Sequence, residues 1–313
     1  NSSITNSSID GTYSEAAIKM ESCLGCTVNN NTISSNPNYG IWMDHGFNTI
    51  ITNNTMDVDY YGIRAENGSY YSLNDNTIRL HNINEQSDEC AIYFNDSEHC
   101  TINNNNITSS SYTYYANAIV NWNSNSQAII NNNYIEWGIY DSTQCGWYSS
   151  SGSSYSAYDL YSIRVEDAKE IKSNTILQNQ YYSGQAIYVY QSDNYNIDLT
   201  IENNHIEFFS KYDWDDYSGA IRIYNNSNYN GHTLIKNNTI EVYNGAQMGI
   251  MAGNNADILD NTISFGDRYT QQCSFNNSGN YQRAIDVDDR NHHIIRNNTI
   301  TNFARGIELN NST

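Results

Sequence analysis

Isoleucine recurs along this chain in two alternating settings. A small residue directly precedes it at Ala17-Ile18, Gly40-Ile41, Gly62-Ile63, Ala91-Ile92, Ala118-Ile119, Ala186-Ile187, Ala220-Ile221, Gly249-Ile250, Ala284-Ile285 and Gly306-Ile307, with Ser162-Ile163 as a variant. Between these pairs an Asn-x-Ile element returns, as at Asn31-Thr32-Ile33, Asn54-Thr55-Met56, Asn105-Asn106-Ile107 and Asn298-Thr299-Ile300. From the first Ile to the end of the second element the distance is 15 residues in five of ten repeats, a register that a disordered polar chain does not keep. Stretches such as Ile221-Arg222-Ile223 alternate with the period of two expected of strands, whereas the i, i+3, i+4 recurrence of an amphipathic helix is missing. The shortest full period, Ile41 to Ile63, is 22 residues, room for three short strands and their turns. The pattern predicts a solenoid with one period per coil and equivalent strands stacked in parallel about 4.8 Å apart.

The recurring asparagines, Asn31, Asn54, Asn76, Asn133, Asn174, Asn204, Asn238, Asn261 and Asn298, form a second column. Asn tolerates positive φ at a tight bend, and its amide can donate to and accept from its counterpart one coil away. The two columns together resemble the right-handed parallel β-helix repeat of the pectin-lyase-like superfamily, and in particular the Asn-rich surface proteins built from it in methanogenic archaea. The resemblance implies an all-β fold, a single right-handed parallel β-helix (solenoid) of about 10–11 coils with three strands per coil, occupying residues 1–313 as one domain. It does not choose a function, because that superfamily holds polysaccharide lyases, glycoside hydrolases, phage tailspikes, adhesins and envelope proteins without catalysis.

The links between elements vary in length, with long insertions near 136–162, 207–219 and 264–283. Trp137, Trp147, Tyr148, Tyr212, Trp214 and Tyr217 lie in them, an expected aromatic edge that would stack on sugar rings or meet other proteins.

Composition narrows the classes. A net charge of −20, from 14 Lys and Arg against 34 Asp and Glu, argues against nucleic-acid binding and against attraction to an anionic membrane surface. No run of 18 apolar residues suggests membrane insertion, and an opening on Asn1-Ser2-Ser3 suits a mature chain whose export signal has been removed. Six cysteines, Cys23, Cys26, Cys90, Cys100, Cys145 and Cys273, fit an oxidising, extracellular compartment. Cys26 and Cys100 fall at equivalent positions three coils apart, roughly 14 Å at the stacking distance and too far to bond. A local pair, loop-to-loop bridges and bridges between subunits stay open.

Enzymes on this fold work through carboxylates. Asp213, Asp215 and Asp216, and Asp286, Asp288 and Asp289, are the acidic clusters that would supply an acid and base or hold calcium, the one cofactor the sequence suggests. The polygalacturonase type is marked by Asn-Thr-Asp, paired Asp, Gly-His-Gly and Arg-x-Lys elements, of which this chain has Asp pairs alone. Trp42-Met43-Asp44-His45 is similar to a pectate-lyase stretch, but the Arg-x-Pro-x-x-Arg element of those enzymes is missing, Pro37 being the sole proline. Asn-x-Ser/Thr sequons such as Asn53-Asn54-Thr55 and Asn297-Asn298-Thr299 permit glycosylation. The chain stops inside what reads as the opening strand of a further coil, so either it is a fragment of a longer protein or the expected partner is another copy, coils stacking end to end. The sequence therefore points first to a non-catalytic structural protein of an extracellular envelope, sheath or filament. A polysaccharide lyase or hydrolase and a glycan-binding adhesin are the alternatives.

Overall fold

The computed structural model describes residues 2–11, 15–81, 89–109, 117–122, 126–138, 160–180, 184–192, 195–210, 218–225, 229–244, 248–266, 282–288 and 292–310. The first coil consists of β1 (Ser3–Thr5), β2 (Ser8–Asp10) and β3 (Ala16–Glu21), and ten further coils repeat it. Equivalent strands pair in parallel into three sheets of 11 strands, with no helix among the described residues. The result is a single right-handed parallel β-helix, the hand that crossovers between parallel strands adopt.

Alternation supplies the core. In the third sheet Ile18, Ile41, Ile63, Ile92, Ile119, Ile163, Ile187, Ile221, Ile250, Ile285 and Ile307 stack in register. The first sheet contributes the buried Val28, Ile51, Leu73, Ile102 and Ile130, and the second the buried Ile33, Met56, Ile78, Ile107 and Ile135, with further members above them. Branched side chains suit a pleated surface, and a slip of one residue would turn every one of them to water, so the register is strongly fixed. The small residue before each third-sheet Ile has a packing reason. A Cβ on Gly62 would lie 2.4 Å from Ile78 Cγ2 and 2.6 Å from the Ala91 carbonyl oxygen.

A further inward column lies two residues beyond the second-sheet Ile: Val58, Leu80, Ser109, Trp137, Gln178, Phe208, Val242 and Phe265, paired in register along most of its length. It corrects the sequence expectation for Trp137. That residue closes the strand Tyr134–Trp137, points inward, and is fully buried rather than part of an aromatic edge. The strand simply continues past Asn133-Tyr134-Ile135, and period two places residue 137 on the core side.

The Asn column is a continuous ladder. Each interior member, Asn133 for example, accepts at Oδ1 from the main-chain N–H (2.9 Å) and Nδ2 (3.0 Å) of the Asn one coil before. Its own Nδ2 donates to Asn174 Oδ1 at 3.0 Å and to the Ile102 carbonyl at 2.9 Å. All donors and both lone pairs of the amide are used, which is what a buried carboxamide requires. Asn105 belongs to the same ladder, between Asn76 and Asn133. Positive φ falls elsewhere than the sequence suggested. The left-handed residue is the one before the ladder Asn: Asn30, Asn53, Asp75, Asn104, Asn132, Ser173, Asn203, Asn237, Asp260 and Asn297. Two adjacent positions divide the work, one bending the backbone and the next saturating the groups that the bend exposes. Cys23 and Cys26 form a local disulfide across the neighbouring turn, while Cys90 and Cys100 are buried, Cys100 as a thiol.

Candidate functional site

The third sheet has the widest outer face, its strands running five to eight residues against three to six in the other two. Because the residue after each core Ile points outward, the register aligns Lys19, Trp42, Arg64, Tyr93, Val120, Arg164, Tyr188, Arg222, Met251, Asp286 and Glu308 along the rod. From Trp42 to Arg222 this line is rings and guanidinium groups, Val120 excepted. Such surfaces are half-buried and pre-ordered, because each ring rests on its neighbour one coil away.

Two clusters stand out. In the first, the Arg64 guanidinium lies 5.3 Å from the Tyr61 ring centroid, 5.4 Å from Tyr39, 5.6 Å from Tyr93 and 5.8 Å from Trp42. Arg64 Nη2 donates to Glu66 Oε1 at 2.7 Å and Trp42 Nε1 donates to Glu66 Oε2 at 3.1 Å, so one carboxylate holds both flat groups in place. Burial raises the Tyr61 phenol well above its ordinary range and keeps it neutral. In the second cluster Arg164 sits 4.8 Å over Tyr161 and Arg222 5.8 Å over Tyr188. Tyr190 and Tyr224 stack at 5.7 Å with their planes 15° apart, and Tyr224 is half exposed. Glu166, in the next outward column, is raised above the usual carboxylate range by burial and then by the Asp167 charge. Chemically, the strip offers apolar ring faces with carboxylate acceptors and guanidinium donors at their edges, the inventory that matches a ligand with C–H faces and hydroxyl rims.

The second sheet carries a smaller feature on its outer side. A cavity of about 260 Å³ is lined by Glu136, Leu177, Gln178, Asn179, Glu207, Phe209 and Tyr243. The Tyr134 hydroxyl donates to Glu136 at 3.1 Å.

Of the candidates read from sequence, Trp147, Tyr148, Tyr212, Trp214, Tyr217, Asp213, Asp215, Asp216, Asp289, Cys145 and Cys273 lie outside the described residues. Asp288 closes the strand Arg283–Asp288, and its side chain lies outside the described part. Asp286 is buried; Arg283 Nη1 and Asn310 Nδ2 donate to it, both at 2.7 Å. Burial raises it, against the Arg283 charge. Asp44 and His45 pair at 2.7 Å on an exposed turn where His45 has φ of 54°. Asp44 is lowered, first by the hydrogen bond from Asn67 and then by His45. Among the described residues no three His, Cys, Asp or Glu groups are placed to hold a metal ion.

These features sit on a scaffold with known counterparts. Over residues 1–143 the chain matches the family model described as periplasmic copper-binding protein (NosD). Its fold is similar to that of known parallel β-helix structures. The Streptococcus pneumoniae surface protein and adhesin PfbA superposes with a TM-score of 0.55 at 14% identity, over 93% of this chain and 77% of that one. The catalytic domain of a GH87 α-1,3-glucanase, solved with tetrasaccharides, gives a TM-score of 0.47 at 14% identity, over 99% of this chain and 64% of that one, so this chain spans less than two thirds of the glucanase domain. No curated protein sequence matches the chain. At these identities the likeness is one of fold.

The outer strip was not singled out from sequence, although its signal was there. It is the residue directly after each Gly-Ile or Ala-Ile pair, and the sequence reading looked for rings in the long insertions instead.

Proposed function

We propose that the chain is an exported, cell-surface protein, one β-helix domain over residues 1–313, that binds carbohydrate chains lengthwise along the outer face of the third sheet. The observation that carries this reading is the register itself. Trp42, Arg64, Tyr93, Arg164, Tyr188 and Arg222 fall on one line parallel to the rod axis, so a linear glycan meets a ring or a guanidinium at most coils. The location is supported by the matching family, described as periplasmic, and by the surface adhesin of the same fold. Arg and carboxylate alternate on this face, with Lys19 against Glu21, Arg64 against Glu66 and Arg283 against Glu308, so its local charge is close to balanced in a strongly acidic chain. That favours a neutral glycan.

Copper, named in the description of the matching family, does not fit the donors described here. Among the described residues no three His, Cys, Asp or Glu groups are placed together to hold it, and Cys23 and Cys26 are bonded to each other.

Glycan-array screening followed by calorimetric titration tests the reading. Tyr188→Ala and Tyr224→Ala should each weaken binding about tenfold, the equivalent of roughly 1.4 kcal/mol. Binding unchanged by both substitutions refutes it. The envelope or filament role asks the same face to meet another copy, and concentration-dependent growth in sedimentation velocity with a blank array would support that role instead. The cavity beside Glu136 and Glu207 favours a second reading, hydrolysis of a bound glycan, and release of reducing sugar that Glu207→Gln abolishes would establish it.

A further inference from the structure

The corner between the first and second sheets presents a row of modification sites. At Asn6-Ser7-Ser8, Asn30-Asn31-Thr32, Asn53-Asn54-Thr55, Asn237-Asn238-Thr239 and Asn297-Asn298-Thr299 an Asn-x-Ser/Thr sequon coincides with the left-handed turn residue, whose φ lies between 53° and 59°. In all five the turn Asn and the hydroxyl residue two positions on are exposed, while the intervening residue turns inward. The repeat creates this arrangement. The bend pushes the first Asn outward, the ladder claims the next, and the strand that follows opens with its Ser or Thr facing water. Among the described residues the other sequons lack the combination: Ser69 of Asn67-Gly68-Ser69 is half-buried, Asn106 lies within the paired strand Asn106–Ser109, and Ser97 of Asn95-Asp96-Ser97 is buried with its hydroxyl on the Asn95 carbonyl.

We infer that this corner is a line of N-linked glycan acceptors, using Asn6, Asn30, Asn53, Asn237 and Asn297 and sparing the ladder Asn that follows the last four. In the transfer, the Asn Nδ2 forms a bond to the anomeric carbon of a lipid-phosphate-linked oligosaccharide. The bond from that carbon to phosphate oxygen breaks, and one amide proton leaves to the transferase. Nδ2 keeps its second hydrogen, so the bond from Asn30 Nδ2 to Asn6 Oδ1 (2.7 Å) survives glycosylation of Asn30. Coil spacing sets a limit. Asn6, Asn30 and Asn53 occupy successive coils about 4.8 Å apart, closer than two branched glycans can stand side by side, so the middle site competes with both neighbours.

The test is secretion of the full chain through the N-glycosylating pathway of a eukaryotic host, with intact-mass and glycopeptide analysis. Glycans on the five turn residues and none on Asn31, Asn54, Asn238 or Asn298 are expected, with at most four of the five occupied on one molecule and Asn30 the least occupied. Thr55→Ala should remove the glycan from Asn53 alone and raise occupancy at Asn30, whereas Thr55→Ser should retain it. Both leave the turn Asn in place, so an unchanged circular dichroism spectrum separates lost acceptance from lost folding. A secreted protein unmodified at all five, or modified chiefly at Asn106 or Asn95, overturns the inference. Occupancy of Asn6, Asn30 and Asn53 together on one molecule overturns the spacing limit.

Discussion

Replacing Asn133 by Ala removes one rung from the ladder while leaving the backbone path intact. Four hydrogen bonds go: two into Oδ1 from Asn105, and two from Nδ2 to the Ile102 carbonyl and Asn174 Oδ1. The Asn105 main-chain N–H is left facing a gap, a buried donor worth roughly 1–3 kcal/mol, and the other three bonds contribute about 1 kcal/mol each. The expected loss is therefore about 4–6 kcal/mol, against less than about 0.5 kcal/mol for Thr239→Ala, an exposed position one residue past a rung. Denaturant unfolding gives the total, and hydrogen exchange with mass spectrometry shows where it acts: protection should fall in the strands around Ile102, Ile130 and Ile171, not at the ends of the rod. Coupling gives a sharper criterion. Asn133→Ala combined with Asn174→Ala should cost less than the sum of the singles, since they share a bond, while Asn133→Ala with Asn261→Ala should be additive. Asn133→Asp preserves shape but aims a carboxylate at two acceptors, so its penalty should shrink as pH falls and the group protonates. A loss below about 1 kcal/mol for Asn133→Ala, or equal coupling to near and distant rungs, would refute the claim that the ladder holds the coils together.

Three further outcomes follow from the packing. Trp137→Ala should cost roughly 3–5 kcal/mol by thermal or denaturant melting, because the ring is fully buried; a surface-like loss under about 1 kcal/mol would return it to the periphery. Gly62→Ala should cost about 2 kcal/mol, since the new methyl meets the Ala91 carbonyl oxygen, whereas Gly306→Ala, with nothing within 4 Å, should be neutral. Burial pushes the Tyr71 phenol up to about 12, with its oxygen accepting from the Gly46 N–H at 3.0 Å. The folded chain then keeps a proton that the unfolded chain releases near pH 10, so stability should hold below about pH 10 and fall as pH rises towards 12; a flat profile there would contradict the burial.

Much of the fold was legible because its signal is repeated. Ile18, Ile41 and Ile63 each carry little information alone, but a parallel solenoid forces the same environment on every coil, and the sequence records that environment again and again. What was lost depended on a single residue's offset. Trp137 was assigned to an insertion because the strand's end cannot be seen from the Asn-x-Ile element, whose period says where a strand starts and not where pairing stops. Asn105 belongs to the column on position and amide alone, because the ladder does not test the following residue, which is Asn106 here, Tyr134 after Asn133 and His205 after Asn204. The bend was ascribed to the ladder Asn, since both adjacent positions are so often Asn; Asp75, Ser173 and Asp260 at the first of them show that only the second needs a carboxamide. The outer strip escaped notice because its members differ in type, Trp, Arg and Tyr, and become one surface only when register places them on a common line.

Every amide of the ladder points the same way, its oxygen toward the coil before and one N–H toward the coil after. A carboxamide has a dipole near that of a peptide unit, about 3.5 D, and successive peptide units of each strand point alternately up and down the axis and largely cancel, so ten aligned rungs leave on the order of 30 D along it. The rod is thus electrically polarised, negative toward its first coils. Neighbouring rods lying flank to flank attract when they run in opposite senses and repel when they run alike, a preference written by side chains that hardly reach solvent.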